Sequence, residues 1–286
     1  MSGSPRLLLA TRSLVGVSLA TRDRLLDVVA RYREPESLAV TLSKAVGAGV
    51  DGVLASPLPV LFAAVAELKQ TVPIYALLPA LTEHERNDFE PGVEGLIERA
   101  RGSAGLLARL RAGWSGLARP AALYRGDLAR RLPLLIELEV ARLSPRALKG
   151  VVLDACLTDL VLAAGKRAFF DSYCRFVRRR FGAAAGLETH NLGLLLARLR
   201  EWDLRPDLVV GPLNPCGLMM KPSVAEVLDE LKRTDVPVVA KELRAGGVVS
   251  LVRGAEFARS HGAYGLAPDL AEVEDVGTEL RALGKG

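Results

Sequence analysis

The sequence predicts an α/β fold, a single-domain (β/α)8 TIM barrel over residues 1–286 with an enlarged helical segment between strands 3 and 4, and three observations carry that reading. Eight short apolar runs alternate with helical stretches along nearly the whole chain. Most of the runs are continuously apolar rather than alternating, as strands of a parallel sheet buried on both faces must be. The length suits one barrel, which takes about 250 residues. A doubly wound sheet is the competing architecture, but no GxGxxG follows the first run.

The runs read as strands occupy residues 6–11, 50–56, 72–78, 150–154, 183–189, 207–212, 236–242 and 264–267. Between them, Pro35 opens a helix with Leu38, Leu42, Ala45 and Val46 on one face, closed by Gly47 and Gly49. Residues 171–180 read as an amphipathic helix with Tyr173, Phe176 and Val177 inward. Its end carries Arg178, Arg179 and Arg180, cations that suit the negative end of the helix dipole. Pro222 and Ser223 start a helix over 224–233 whose stripe is Val224, Val227, Leu228 and Leu231. Residues 97–149 break the rhythm. They are too long for one barrel helix and set arginines such as Arg99, Arg125 and Arg142 among many leucines. Within them 132–143 reads as helix, because Glu137, Glu139 and Arg142 suit a buried strand poorly. The excursion reads first as an amphipathic layer whose arginine stems cover apolar surface. A lid, an oligomer interface or a patch for an anionic surface stay open beside that.

Composition sets the outer limits. With 50% hydrophobic and 25% charged residues and a mean hydropathy of +0.23, the chain is neither low-complexity nor collagen-like. Cys156, Cys174 and Cys216 form no CxxC pair and cannot all be bridged, so reduced thiols and a cytoplasmic location are expected. The first apolar run is too short for a signal peptide, and no transmembrane segment is expected, since no uncharged run reaches the ~18 apolar residues a membrane helix needs. A net charge of +5 with only 5% aromatics and no recognised module points away from nucleic acid.

In a barrel of this kind, reactive groups sit on the loops after the carboxyl ends of the strands. Those positions hold a polar set: Thr82, Glu83, His84, Glu85, Arg86, Asn87 and Asp88 after the third run; Asp154, Thr158 and Asp159 after the fourth; Glu188, Thr189, His190 and Asn191 after the fifth. Asn214 and Cys216 follow the sixth run, and Lys241, Glu242, Arg244, Gly246 and Gly247 the seventh. Strand period two puts Glu188 and His190 on one side and Thr189 on the other, and points Lys241 and Glu242 oppositely. Which of each pair faces the axis stays open. The candidate catalytic residues are Asp154, Glu188, His190, Lys241 and Glu242. Glu188 or His190 would be acid and base, and Lys241 an electrostatic stabiliser or, if desolvated, a nucleophile. Arg244 with Gly246 and Gly247 would clamp a phosphate-bearing ligand. No HxH or HExxH spacing occurs, so a divalent site from Asp154, Glu188 and His190 is the weaker expectation. No GxSxG elbow supports a Ser-His-Asp triad, Cys216 reads as a small apolar filler, and His261 as structural.

Three stretches, 186–193 (GLETHNLG), 214–223 (NPCGLMMKPS) and 236–247 (VPVVAKELRAGG), resemble the fifth, sixth and seventh strand regions of the aldo/keto reductase superfamily, with residues 264–275 similar to its eighth strand and following helix. The resemblance covers about 151 to 283 and implies an eight-stranded barrel and NADP(H) at its carboxyl end. By position it would put Glu188 and Thr189 at the nicotinamide amide, Lys241 where a side chain lies along the nicotinamide ring, and residues from Arg244 to Gly247 near the cofactor phosphates, with Asn214 also among the cofactor-binding residues. The family's catalytic set, however, needs an Asp and a Tyr after the second strand, a Lys on the third and a His on the fourth. Here Ser56 is followed by Pro57, Leu58 and Pro59, residues 72–78 hold no Lys, and the fourth run ends in Asp154. Without that Tyr and Lys, family-type carbonyl reduction has no proton donor. The expectation is therefore a small-molecule enzyme at the barrel mouth with a different reaction, such as that of a divergent oxidoreductase, lyase or isomerase. A non-catalytic ligand- or nucleotide-binding barrel, or an interaction protein using the arginine-rich segment, is the alternative. The cofactor is open, as is oligomerisation.

Overall fold

Strands that are apolar on both faces need cover on both sides, and the chain supplies it by closing the sheet on itself inside a ring of helices. The computed structural model describes residues 6–12, 22–56, 58–68, 70–79, 128–141, 143, 147–268 and 275–283. Within them eight strands pair in sequence order, each parallel to the next. They are β1 (Leu8–Ala10), β2 (Gly52–Ala55), β3 (Ile74–Leu78), β4 (Leu148–Leu153), β5 (Ala184–Glu188), β6 (Leu208–Pro212), β7 (Val238–Lys241) and β8 (Gly265–Leu266). A parallel bridge between Leu7 and Leu266 joins the last strand to the first. There the Leu266 N–H donates to the Arg6 carbonyl at 2.8 Å and the Ala10 N–H to that of Pro268 at 3.2 Å. All eight expected strands are present. Their paired cores are shorter than the apolar runs, except that β4 begins two residues early, at Leu148.

The helices are α1 (Arg22–Arg31), α2 (Pro35–Gly47), α3 (Pro59–Glu67), α4 (Leu128–Val140), α5 (Ala155–Ala163), α6 (Arg167–Phe181), α7 (Leu192–Glu201), α8 (Val224–Arg233), α9 (Leu251–Ser260) and α10 (Val276–Leu283). Among the described residues no helix is long and apolar enough to cross a membrane. The helical reading of 132–143 holds as far as Val140, where α4 ends before the turn at Ala141; within it Glu137 is buried and its Oε1 accepts from Arg180 Nε at 2.7 Å. The rest of the arginine-rich excursion up to residue 127, with Arg142 and Arg146, lies outside the described residues. Two helical expectations are corrected. α6 starts at Arg167, not 171, because Phe170 is wholly buried and draws another turn into the core. Val224 is 39% exposed rather than part of the buried stripe of α8, since it sits in the first turn beside Gly217.

The apolar residues fall into two clusters that alternate along each strand. Leu8, Leu54, Tyr75, Leu77, Val152, Leu208, Val210, Val239 and Ala267 pack against one another inside the barrel. Their immediate neighbours, such as Leu9, Val53, Val151, Leu187, Val209 and Ala240, pack outward against the helices. Gly150 makes room for the Tyr75 ring, which would lie 2.5 Å from a Cβ there. This parity decides what reaches the rim, because the next inward positions after Ala10, Val152, Gly186 and Val239 are Arg12, Asp154, Glu188 and Lys241.

The outer layer is tight at α9, where a Cβ on Gly254 would stand 2.0 Å from the Leu243 carbonyl oxygen. Gly254→Ala should therefore cost about 1–3 kcal/mol through overpacking. A thermal melt should show a drop of several degrees, and an unchanged midpoint would contradict this packing.

Candidate functional site

Four ionisable side chains converge at the carboxyl end of the barrel. In a closed ring of eight strands, β1 faces β5 across the axis, so Arg12, just past β1, reaches over the mouth to the opposite wall. Its Nη2 pairs with Asp154 Oδ2 and stands 3.6 Å from Glu188 Oε2. Lys241 Nζ, from β7, donates to Glu188 Oε1 at 2.9 Å. The Asp154, Glu188 and Lys241 side chains are at most 10% exposed, whereas Arg12 is 26% exposed. Asp154 is fixed from a second side, because its Oδ1 accepts the Cys156 N–H at 2.9 Å as the N-cap of α5.

Electrostatics keep Glu188 and Arg12 charged. Burial alone would push the Glu188 carboxyl up, but the Lys241 ammonium, the Arg12 guanidinium and the hydrogen bond from Lys241 overcome it and bring it down to about 2. Burial would lower Arg12, yet Glu188 and Asp154 outweigh it and raise the guanidinium above its ordinary value. Burial, with the Asp154 charge next, pushes the Cys156 thiol up, away from thiolate chemistry.

A second cluster sits beside the first. Thr189 points outward, donating its hydroxyl to Asp159 Oδ1 at 2.5 Å and accepting the Asn191 N–H at 2.9 Å. The other Asp159 oxygen accepts the His190 backbone N–H at 3.1 Å and lies 3.1 Å from His190 Nδ1. Burial would raise the Asp159 carboxyl, but the bonds from His190 and Thr189 hold it below its usual range. An ionised carboxylate only accepts, so Nδ1 carries the proton in this bond. His190 also helps to hold Glu188 down, two residues earlier on the same strand face.

The other sequence candidates are placed as follows. Asn214 is buried with its amide spanning the β6–α8 turn, Nδ2 donating to the Leu218 carbonyl and Oδ1 accepting the Leu218 N–H, both at 2.9 Å. Of the pair left open above, Lys241 faces the axis. Glu242 turns the chain out of β7 with φ +56°, a left-handed conformation, and Ala245 at +48° continues the bend. Gly246 and Gly247, also left-handed, lie exposed on that turn, and the Gly247 N–H donates to the Arg244 carbonyl at 3.0 Å. Arg244 is half-buried beside them. Cys216 is exposed rather than a buried filler, since the turn after β6 carries it out to solvent. His261 ends α9 with Nδ1 2.8 Å from the Phe257 carbonyl. The Thr82 to Asp88 set lies outside the described residues. Among the described residues no cluster has the makings of a metal site. Arg12 was missed from the sequence because the first run was ended at Thr11. Carrying the Leu8, Ala10 alternation one step further would have found it.

No protein-family model and no curated protein matches the chain in sequence. Among solved structures, the fold is similar to that of a Pseudomonas aeruginosa protein assigned as an aldo-keto reductase, 15% identical, with a TM-score of 0.54 over 97% of this chain and 90% of that one. It is also similar to the holo form of a Bacillus halodurans aldo-keto reductase, 8% identical, with a TM-score of 0.56 over 97% and 86% of the two chains. The chain thus has an aldo-keto-reductase-like (β/α)8 barrel, and at such identities the likeness speaks for the fold. Where the resemblance would set a side chain along a nicotinamide ring, this chain has Lys241, buried and paired with Glu188.

The Glu188 pairings set a pH dependence. Its carboxyl is lower in the fold than its ordinary value near 4.5, so its ionisation stabilises the fold fully above that pH, and the stabilisation is lost as pH falls toward 2. Urea unfolding across that window should show a steeper loss for the wild type than for Glu188→Gln. Parallel slopes would contradict the assignment.

Proposed function

We propose that the protein is a small-molecule enzyme acting at the carboxyl-end mouth of the barrel, with His190 as the proton carrier and the Arg12, Asp154, Glu188 and Lys241 quartet as a fixed polar wall beside it. The observation that carries this reading is the hydrogen bonding of His190, whose Nδ1 is held by Asp159 while the ring stays 29% exposed beside the quartet. A carboxylate that fixes the tautomer and stabilises the imidazolium is the support a catalytic histidine needs. Glu188 is a poor acid for the same task, because it is ionised down to about pH 2. Lys241 serves as an electrostatic stabiliser rather than a nucleophile, since a neutral amine would leave the buried Glu188 charge without its closest partner. Burying three charged groups beside a half-buried arginine is costly, and ionisable groups that perturb one another in a cleft are candidates for a functional site.

The reaction differs from family-type carbonyl reduction. The tyrosine of β3, Tyr75, packs below the rim against Gly150, and no lysine shares that strand. A proton abstraction or addition at a carbon or hydroxyl, as in a lyase or isomerase, suits a lone histidine base better. The test is a thermal-shift screen of sugars, sugar phosphates, nucleotides and divalent metals, followed by turnover assays on each hit. For a hit that turns over, His190→Ala should lower kcat by about 10²–10⁴-fold with little change in melting temperature. Asp159→Asn should lower kcat less and move the pH profile. Undiminished turnover in His190→Ala, or binding without any turnover, would overturn the proposal.

A further inference from the structure

We infer that the chain pairs with a second copy of itself through an apolar crescent on the outer rim, where α7, α8 and α9 begin; the inference is independent of the chemistry of the mouth. Five of the nine exposed large apolar side chains among the described residues lie in this one sector. They are Leu194 in the first turn of α7, Leu218 before α8, Val224 at its start, Val248 before α9 and Val252 in its first turn, with Val248 80% exposed. β5, β6 and β7 are neighbours in the ring and α7 packs on α8, so the five side chains share one edge of the molecule. Single apolar residues scattered over a surface need no account, but a group of this kind marks an interaction site.

The crescent is held in shape. The Gly193 N–H donates to the Lys221 carbonyl at 3.0 Å and ties α7 to the turn before α8. Leu218 has both its backbone groups clasped by the Asn214 amide and stands between two left-handed residues, Gly217 at φ +69° and Met219 at φ +59°. A methionine in that region is strained, and such strain collects where a surface is shaped for contact. A leucine fixed outward in this way loses little further freedom on association.

Charge identifies the occupant. Lys221, Glu226, Arg253 and Glu256 border the crescent, all exposed, and none of the four makes an ion pair among the described residues. On the same α7 and α8, by contrast, Arg198 pairs with Glu201, Arg200 with Glu230 and Lys232 with Asp229. Two cations and two anions leave no excess of either sign. An anionic lipid surface would be opposed by Glu226 and Glu256, and a strongly acidic or basic partner would be half opposed. A copy related by a two-fold axis presents the same set, so that each contact between a cation and an anion is made twice.

The experiment is sedimentation equilibrium of the full chain, which reads mass against concentration. The wild type should reach the mass of a dimer, and Val248→Asp combined with Val252→Asp should raise the dimer dissociation constant about ten-fold or more while circular dichroism shows a folded chain. Should that variant unfold, charge reversal supplies a second reading. Lys221→Glu with Arg253→Glu, and separately Glu226→Lys with Glu256→Lys, should each give a monomer, and an equal mixture of the two reversed chains should regain the dimer mass. A wild type that stays monomeric overturns the inference, as does a dimer that neither the valine pair nor the reversals weaken, or a mixture of reversed chains that stays monomeric. Co-sedimentation of a monomeric chain with phosphatidylserine vesicles, lost in the valine variant, overturns it in favour of a membrane.

Discussion

The reach of Arg12 across the barrel mouth organises everything above the apolar interior. Its guanidinium meets Asp154 from β4 and lies near Glu188 from β5, on the wall opposite its own strand. Two carboxylates on neighbouring walls would repel each other in so dry a place, and the cation between them offsets that repulsion. Lys241 completes the arrangement from the far side of Glu188. Each member is tolerable only because the others are present. Asp154 also caps α5, so the network is tied to the start of a barrel helix as well as to three strands and the first strand's exit.

Strand parity is the constraint that delivers these groups to one place. Along β5 and β7 the inward positions run from apolar or small residues to Glu188 and Lys241, while the intervening residues pack under the helices. Past the strand end, Thr189 and His190 both turn to Asp159. One dipeptide, Thr189 and His190, is thus gripped by a single carboxylate from α5, the helix that follows the neighbouring β4. The left-handed Glu242 and Ala245 then fold the β7 exit back beside Lys241.

The eight strands were legible because each is a short, continuously apolar run, and burial on both faces leaves that mark in sequence. The boundaries were less so, since hydrophobicity outlasts pairing: the run at 236–242 exceeds β7 at both ends. The inward choice between Lys241 and Glu242 was not legible, because alternation fixes relative sides but only packing fixes which side is the axis. Arg12 was hidden for a different reason. It follows a short first strand, and a lone arginine after an apolar run reads as a solvated turn until its partners across the ring are known. Asp159 was visible as a polar residue after the fourth run, yet its grip on His190 depends on the adjacency of β4 and β5, which only the sheet order supplies. The fold resembles that of aldo-keto reductases although the two similar chains share only 8% and 15% identity. Barrel architecture depends on pattern and tolerates such divergence, whereas a reaction depends on individual side chains at the rim.

The dependence of the site on the cross-mouth contact can be measured directly. A double-mutant cycle on Arg12→Met and Asp154→Asn, read by urea unfolding at neutral pH, isolates the coupling between the two side chains. Interacting residues of this kind couple by about 0.5–3 kcal/mol. The account predicts a favourable coupling within that range. Additive effects, with no coupling beyond measurement error, would mean that the guanidinium does not bridge the mouth and that the quartet is not a unit.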